Sequence, residues 1–173
     1  MRVIAGELRS RRLKGVPGQA TRPTPDRLRE TLFDILARRI EGATFLDGYA
    51  GTGAVGIEAL SRGARHAYFL ERDRTALAVL RENLAALGLE ARATVVPGRV
   101  LLTMPQCRAD LVFLDPPYDQ QREYAAALEA LSEAPPALVV VQHSVRMKLP
   151  EGTTTLHAVR TVRQGDNVLT FFE

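Results

Sequence analysis

The residues whose types and spacing most clearly suggest a chemical role are Asp115-Pro116-Pro117-Tyr118, which directly follow an apolar run at residues 111–114. Two consecutive prolines fix φ and remove two backbone donors, so this turn is stiff. A rigid Asp115 carboxylate and Pro116 carbonyl can accept both hydrogens of an exocyclic base amine and align its nitrogen with an electrophile. Tyr118 offers a ring on which an unstacked base can lie. The segment therefore predicts that Asp115, Pro116 and Tyr118 are catalytic; a structural proline turn with a capping Asp is the alternative.

A glycine-rich segment follows the first predicted strand and reads Asp47-Gly48-Tyr49-Ala50-Gly51-Thr52-Gly53-Ala54-Val55-Gly56. Glycine lets the backbone turn tightly against a ligand, and the next helix offers unpaired N–H groups. Gly51, Gly53 and Gly56 match the dinucleotide fingerprint, and Glu71 follows where a carboxylate can bind ribose hydroxyls. NAD and S-adenosylmethionine both fit these residues, and a bare turn is a further alternative. Asp47 favours S-adenosylmethionine, because its carboxylate would repel a pyrophosphate but not a sulfonium and an ammonium.

The order of apolar runs predicts that strands and helices alternate through most of the chain. Strands are predicted at residues 44–46, 67–70, 93–96, 111–114 and 138–141, and helices at residues 54–62, between a cap at Asp73 and Gly88, just after Gly98, and at 122–131. Strands that are apolar on both faces and separated by helices indicate an α/β fold with a mostly parallel sheet and helices on both faces. Two more strands, at residues 153–163 and 167–172, flank a tight turn and predict an antiparallel C-terminal hairpin.

The N-terminal region is predicted to precede this alternating pattern as a separate extension. Residues 3–13 read as a short polar β-hairpin, and residues 15–25 as a loop. A helix should follow, with Thr24 as its cap and Pro25 in its first turn. Its apolar stripe is Leu28, Leu32, Ile35 and Leu36. Arg27, Arg29 and Arg38 lie off that stripe.

Positive charge is concentrated in the first 39 residues. They hold ten basic and four acidic residues, a net charge of +6, whereas the whole chain carries +3. A basic arm on a mildly acidic body favours a polyanionic partner at one end of the molecule. A solvated charged surface is the alternative. We therefore predict that residues 1–24 form a nucleic-acid-contacting extension and that residues 25–173 form a catalytic domain.

Composition limits the remaining kinds of site. The 173 residues, of which 46% are hydrophobic, are enough for one domain with a substantial core. The single cysteine, Cys107, excludes an internal disulfide, and the three histidines lack metal-ligand spacing, so we predict no metal site. No apolar run approaches the ~20 residues that cross a bilayer, and no signal-peptide segment follows the basic start. We expect a cytoplasmic monomer.

With these motifs the chain resembles the class I S-adenosylmethionine-dependent methyltransferases, and in particular the bacterial 16S rRNA (guanine-N2)-methyltransferase family RsmD. The resemblance covers nearly the whole chain and rests on Arg22-Pro23-Thr24, Asp26-Arg27, Arg29-Glu30-Thr31-Leu32-Phe33, Leu46-Asp47, Ala50-Gly51-Thr52-Gly53, Glu71-Arg72-Asp73 and Asp115-Pro116-Pro117-Tyr118. It implies a Rossmann-like fold of seven strands and methyl transfer to the N2 amine of one guanine in 16S rRNA, within an assembling small ribosomal subunit. Gly48 and Tyr49 depart from the family, which usually has a larger apolar residue and Phe at these positions.

The resemblance also implies residue roles. The cofactor would contact Asp47, Tyr49, Gly51, Gly53, Glu71, Arg72, Arg99 and Asp115. Asp115 and Tyr118 would hold the guanine. The RNA would contact Arg9, Arg11, Arg12, Arg22, Thr24 and Arg27, with residues 22–24 closing over the site.

Three other functions are compatible with parts of this pattern. An adenine-N6 methyltransferase acting on DNA or RNA would use the same turn chemistry, but the DNA enzymes usually carry a target-recognition insert for which this chain has no spare length. A non-catalytic RNA-binding or assembly factor could retain the fold, although the intact Asp115 turn argues against it. An NAD-dependent enzyme would need a hydride-transfer partner that is not evident in the sequence.

Overall fold

The computed structural model describes residues 1–16, 25–116 and 121–173. Its strands are β1 (Thr44–Gly48), β2 (His66–Glu71), β3 (Ala93–Pro97), β4 (Leu111–Leu114), β5 (Leu138–Ser144), β6 (Ala158–Gln164) and β7 (Asn167–Phe172). Its helices are α1 (Asp26–Leu36), α2 (Ala54–Ser61), α3 (Arg74–Leu87), α4 (Val100–Thr103) and α5 (Gln121–Ser132), with 3-10 turns at Glu90–Arg92 and Met104–Gln106. The predicted alternation is confirmed, and most boundaries agree within two residues.

All seven strands form one sheet in the order β3-β2-β1-β4-β5-β7-β6. Strands β1 to β5 run parallel to one another, and β7 pairs antiparallel with both β5 and β6. The predicted mostly parallel sheet with an antiparallel C-terminal hairpin is therefore confirmed. The order of β1 and β4 at the centre places the ends of these two strands side by side.

The core lies on both faces of this sheet, as the doubly apolar strands predict. One cluster packs α1, α2 and α3 against ring side chains such as Phe45 and Phe113. The other packs α4 and α5 against Leu46 and Val112, the neighbours of those residues in β1 and β4. Alternate side chains of a strand point to opposite faces, so both faces must be covered for such strands to be stable.

The N-terminal segment is less regular than predicted. In place of a two-stranded hairpin, the described residues form a single antiparallel bridge between Arg2 and Arg12 around a turn. Val3 and Leu13 next to the bridge are buried and belong to the same cluster as α1 and α2. The segment is held by this packing, because it is too short to form a strand pair that is stable alone.

Helix α1 differs from its prediction at two positions. Pro25 occupies the N-cap position, so the helix begins at Asp26, one residue later than expected; Thr24 lies outside the described residues. Arg29 does not lie off the buried face but is 0% exposed. Its Nη2 donates to the Asp26 carboxylate at 3.0 Å and to the Arg2 carbonyl at 2.6 Å. The prediction for Arg29 was wrong because periodicity alone cannot show that a buried partner exists.

The C-terminal hairpin begins later than predicted. Strand β6 starts at Ala158 and not at residue 153, because residues 152–157 form a turn closed by a bridge between Gly152 and His157. Leu156 inside this turn is fully buried and anchors it to the core. Among the described residues, no helix has the length and apolarity that crossing a membrane requires.

Candidate active site

Three neighbouring strands end next to one another at the edge where chemistry is predicted. The end of β1 at Gly48 is level with the ends of β2 and β4. From these ends the chain continues into Tyr49, Glu71 and Asp115. Adjacent strands lie about 4.8 Å apart, so the three residues form a row about 10 Å long. The carboxyl ends of parallel strands are the usual ligand-binding edge of such sheets. The structure therefore brings together the predicted cofactor loop and the predicted catalytic turn.

The glycine loop is fixed by Glu71. The Glu71 Oε2 accepts the Gly51 N–H at 2.8 Å, and its Oε1 accepts the N–H groups of Arg72 and Asp73 at 2.7 and 2.8 Å. A carboxylate offers about four acceptor sites, so about one remains on Oε2 for a further donor. Gly51 has φ +55°, and a side chain there would point into open space. The loop thus has room for a ligand beside a carboxylate that can still accept a hydrogen bond.

Asp47 lies beneath the loop and not at its open mouth. Its side chain is 2% exposed, and Oδ2 accepts the N–H of Gly56 in the first turn of α2 at 2.8 Å. Burial raises the pKa of Asp47 to about 7, and the nearby charge of Glu71 acts in the same direction, while the bond from Gly56 opposes them. Asp47 therefore has two roles: it caps α2, and it places an ionisable group under the loop.

The catalytic turn is described as far as Asp115 and Pro116. Asp115 is half-buried and Pro116 is buried. The Pro116 carbonyl, which the sequence predicts to face a substrate amine, accepts the hydroxyl of buried Tyr124 at 3.1 Å. A carbonyl oxygen has two lone pairs, so this bond orients the group and leaves a second acceptor position. Tyr118 lies outside the described residues, and its stacking role stays a prediction.

Tyr49 links the glycine loop to α5. Its backbone has φ +82°, a left-handed conformation that costs a non-glycine residue about 1–3 kcal/mol. Its hydroxyl donates to the Glu123 Oε1 at 2.9 Å. Burial is the main cause that raises the pKa of Tyr49 above its ordinary value, followed by the hydrogen bond to Glu123 and its negative charge, so the phenol stays protonated as a donor.

The N-terminal segment is joined directly to the back of the glycine loop by Asn83 of α3. The buried Asn83 side chain accepts the Lys14 N–H at 2.8 Å and donates to the carbonyls of Lys14 and Thr52 at 3.2 and 3.0 Å. Arg9 and Arg12 are exposed and form no ion pair with the described residues, whereas Lys14 pairs with Glu82. The free positive charge of the arm therefore lies mainly on its arginines.

Glu58 forms a second connection between the N-terminal segment and α2. It is fully buried and accepts the N–H groups of Ile4 and Ala5 at 2.8 and 3.0 Å, as well as the Arg62 side chain at 2.8 Å. The Arg29 Nε lies 3.8 Å from Glu58 Oε2. Desolvation lowers the pKa of Arg29, and the carboxylates of Glu58 and Asp26 oppose that shift. A buried charge needs such partners, so the arm and α1 are held against α2.

The other residues predicted for the site occupy exposed positions. Arg72 follows β2 at the catalytic edge, and Arg99 precedes α4 just beyond β3; both side chains are exposed. Arg27 is exposed on α1, and Arg11 is exposed but donates to the Ala86 carbonyl at 3.1 Å. Arg22 and Thr24 lie outside the described residues. Contact of these residues with cofactor or RNA stays a prediction.

Sequence reasoning missed Glu123 and Tyr124, which contact the two functional loops. They lie in the first turn of α5, seven and eight residues after Pro116. A Glu-Tyr pair opening the helix that follows the catalytic turn was the available signal. Helical periodicity explains Tyr124 as a core residue, so the pattern alone does not identify its hydroxyl as a partner of the turn.

No group of three or more His, Cys, Asp or Glu side chains in residues 1–16, 25–116 and 121–173 is arranged to hold a metal ion. The three histidines remain apart. His143 bonds to Thr170 and to a backbone carbonyl, and burial lowers its pKa. The groups described at the site are carboxylates, carbonyls and backbone N–H groups.

Comparison with known proteins agrees with this geometry. The family model described as "Conserved hypothetical protein 95" matches residues 1–173. The Bacillus subtilis protein named "Putative rRNA methyltransferase YlbH" is 36% identical over 95% of this chain and 94% of its own length. The Haemophilus influenzae "Ribosomal RNA small subunit methyltransferase D" is 43% identical over 68% of this chain and 64% of its own length, just under two thirds of that relative.

A solved structure from Escherichia coli, named "Putative methyltransferase yhhF", superposes with a TM-score of 0.86 and 34% identity over 99% of this chain and 96% of that one. The match therefore extends beyond the sheet over nearly the whole length of both chains. The resemblance inferred from the motifs is confirmed: the chain belongs to the conserved hypothetical protein 95 family, which includes these rRNA methyltransferase relatives.

Proposed function

We propose that this protein transfers a methyl group from S-adenosylmethionine to the exocyclic N2 amine of a guanine in 16S rRNA. The observation that carries the proposal is the alignment of three strand ends, which sets Asp115 and Pro116 beside the glycine loop and Glu71. The names of the relatives support rRNA as the substrate, and the guanine N2 position rests on the resemblance to their family.

The residues of the loop fit S-adenosylmethionine. Glu71 retains an acceptor position suited to a ribose hydroxyl, and Gly51 leaves open space above the loop. Asp47 supplies negative charge below it, which a bound cation would favour. When bound, the cofactor supplies an electrophilic methyl group on a sulfonium. Arg72 and Arg99 are the exposed side chains that we expect at its outer parts.

The chain's own contribution to the reaction is positioning and electrostatics. The lone pair of a base amine is delocalised into the ring, so the amine is a weak nucleophile. The Asp115 carboxylate and the free lone pair of the Pro116 carbonyl would each accept one amine hydrogen and fix the direction of the nitrogen. Positive charge develops on that nitrogen as it is alkylated, and the two acceptors stabilise it. The Asp115 carboxylate would then accept a proton from the methylated amine.

The arm provides the polyanion contact. Arg9 and Arg12 are exposed without ion-pair partners among the described residues, and the arm is bonded to the cofactor helix and loop through Glu58 and Asn83. The arm is therefore held at a fixed position relative to the site, and contacts between the arm and RNA phosphates would orient the RNA there. We propose that residues 1–24 are the RNA-contacting extension of the catalytic domain. An assembling small subunit as the partner and a cytoplasmic location stay predictions.

The test is methylation of 16S rRNA, naked and in small-subunit particles, followed by nucleoside digestion and mass analysis. The proposal expects N2-methylguanosine at one position. Methyladenosine would instead establish the adenine-N6 alternative, which no feature of the structure favours. Asp115→Ala should reduce turnover at least a hundredfold, because alanine removes the carboxylate that accepts an amine hydrogen. Glu129→Ala, on the exposed side of α5, is the matched control. Near-normal turnover of Asp115→Ala would disprove the assigned role.

A further inference from the structure

The first turn of α5 contacts both functional loops through consecutive residues. Glu123 accepts the Tyr49 hydroxyl of the glycine loop at 2.9 Å, and the Tyr124 hydroxyl donates to the Pro116 carbonyl of the catalytic turn at 3.1 Å. Strands β1 and β4 pair directly, so the two loops already lie side by side at the sheet edge. Helix α5 thus makes one hydrogen bond to each loop, beyond the point where the pairing of β1 with β4 ends.

We propose that Glu123 and Tyr124 are positioning residues that hold the cofactor loop and the catalytic carbonyl in fixed relative geometry for methyl transfer. The inference rests on the proposed function for its catalytic consequence, but the mechanical link itself is independent of it. Neither residue needs to touch a substrate. They act through Tyr49 and Pro116.

The burial of the contacts supports a directional role. The Tyr124 ring is 1% exposed, and its bond to Pro116 is buried, so water cannot readily replace the phenol as donor. The two prolines restrict the backbone of this turn, and the Tyr124 hydroxyl adds a directional hydrogen bond to the Pro116 carbonyl. With it, one lone pair is occupied and the other has a defined direction.

The Tyr49 backbone supports the same conclusion independently. A left-handed φ of +82° at a non-glycine residue persists only when the surroundings hold it, and such residues cluster at functional sites. Two hydrogen bonds hold this residue: its N–H donates to the Leu70 carbonyl at 3.1 Å, and its hydroxyl donates to Glu123. Phenylalanine would fill the same space at this position but could not bond to Glu123. The hydroxyl of this chain therefore adds a link that a ring alone does not provide.

The experiment compares four single variants with the wild type. Tyr124→Phe and Tyr49→Phe each remove one hydroxyl and keep the ring, Glu123→Leu removes the acceptor, and Glu123→Gln keeps an amide oxygen that can accept the Tyr49 hydroxyl. Three quantities are measured: hydrogen exchange in peptides covering Asp115 and the glycine loop, the Kd of S-adenosylmethionine, and kcat and KM for rRNA. Urea unfolding checks that each variant is folded.

For Tyr124→Phe we expect faster exchange around Asp115 and a fall in kcat of about ten- to a hundredfold, with the Kd of S-adenosylmethionine within about twofold of wild type. For Tyr49→Phe and Glu123→Leu we expect faster exchange in the glycine loop and a several-fold weaker Kd. For Glu123→Gln we expect exchange in the glycine loop and the Kd of S-adenosylmethionine to stay close to the wild-type values. If these residues only stabilised the fold, the variants would change the unfolding midpoint but would not affect exchange in the two loops differently.

Unchanged exchange and unchanged kcat in folded Tyr124→Phe and Tyr49→Phe would overturn the inference. Equal effects of all four variants on both loops would also overturn it, because they would indicate general loosening of α5. If the wild type binds S-adenosylmethionine but methylates no RNA, the proposed function fails, and the exchange pattern still decides whether α5 holds the two loops.

Discussion

Replacement of Asp47 by asparagine tests the electrostatic character of the site through protein stability. The Asp47 carboxylate is 2% exposed and accepts one backbone N–H, from Gly56. Asparagine has the same shape, and its carbonyl oxygen can accept that bond. Asp47→Asn therefore removes the titration of the side chain and leaves the helix cap in place.

The magnitude follows from the two pKa values. Burial raises the pKa of Asp47 from 3.8 to about 7 in the folded protein. Between these values the folded state binds a proton that the unfolded state releases, so the free energy of unfolding falls as the pH rises. One pKa unit corresponds to 1.36 kcal/mol, and the whole interval to about 4 kcal/mol. The loss is complete above the folded pKa and absent below pH 3.8.

The assay is urea unfolding of the wild type and Asp47→Asn at several pH values between 4.5 and 8.5. The wild type minus variant difference should fall by about 1.4 kcal/mol per pH unit up to about pH 7 and then level off. Asp110→Asn is a control of opposite sign. Hydrogen bonds from the Thr44 hydroxyl and backbone N–H lower the pKa of Asp110, so its contribution is constant across this range and is lost only below pH 3.8. A difference for Asp47 that is independent of pH would refute the reasoning.

Three further predictions concern the connections of the site. Glu58→Gln should lower the free energy of unfolding by about 3–5 kcal/mol, since it removes the buried carboxylate that faces Arg29 and leaves that arginine only the exposed carboxylate of Asp26; a loss below 1 kcal/mol in urea unfolding would contradict this. Glu71→Gln should weaken S-adenosylmethionine binding about tenfold or more in calorimetry, because an amide replaces one of the two acceptor oxygens by an NH2 donor, and an unchanged Kd would remove Glu71 from the site. Replacing Arg9 and Arg12 together by alanine should make the negative slope of log K against log salt for RNA binding less steep by about one to two units, whereas Arg108→Ala should leave it unchanged. Equal slopes for the double variant and the wild type would exclude the arm from the interface.

Much of the fold was predictable from local pattern. Strands that are apolar on both faces require cover on both sides, so the parallel sheet and its helices followed from the runs around Phe45, Phe69 and Phe113. The Asp73 cap and the Gly88 terminus of α3 were predictable for the same local reason, and both are observed. The start of β6 was not predictable, because the turn before it depends on burial of Leu156 against distant residues.

The candidate site was predictable only in its residue types. The order of motifs along the chain indicated that Asp115, Glu71 and the glycine loop would share one sheet edge, since parallel strands end on the same side. The sequence pattern placed Arg29 off the apolar stripe of α1 and did not show that Asp47 is buried. Both are buried: carboxylates of Asp26 and Glu58 face Arg29, and the Gly56 N–H bonds to Asp47.

By itself the sequence predicted the fold class and the family, which are confirmed, and it supplied the hypothesis for the chemistry of the catalytic turn, because each depends on residue type and short-range spacing. Only the tertiary structure decided which groups orient that turn. The contacts of Glu123 with Tyr49 and of Tyr124 with Pro116 join separate loops through one helix. Such contacts depend on how the helix packs on the sheet, which is set by the whole core and not by any local pattern.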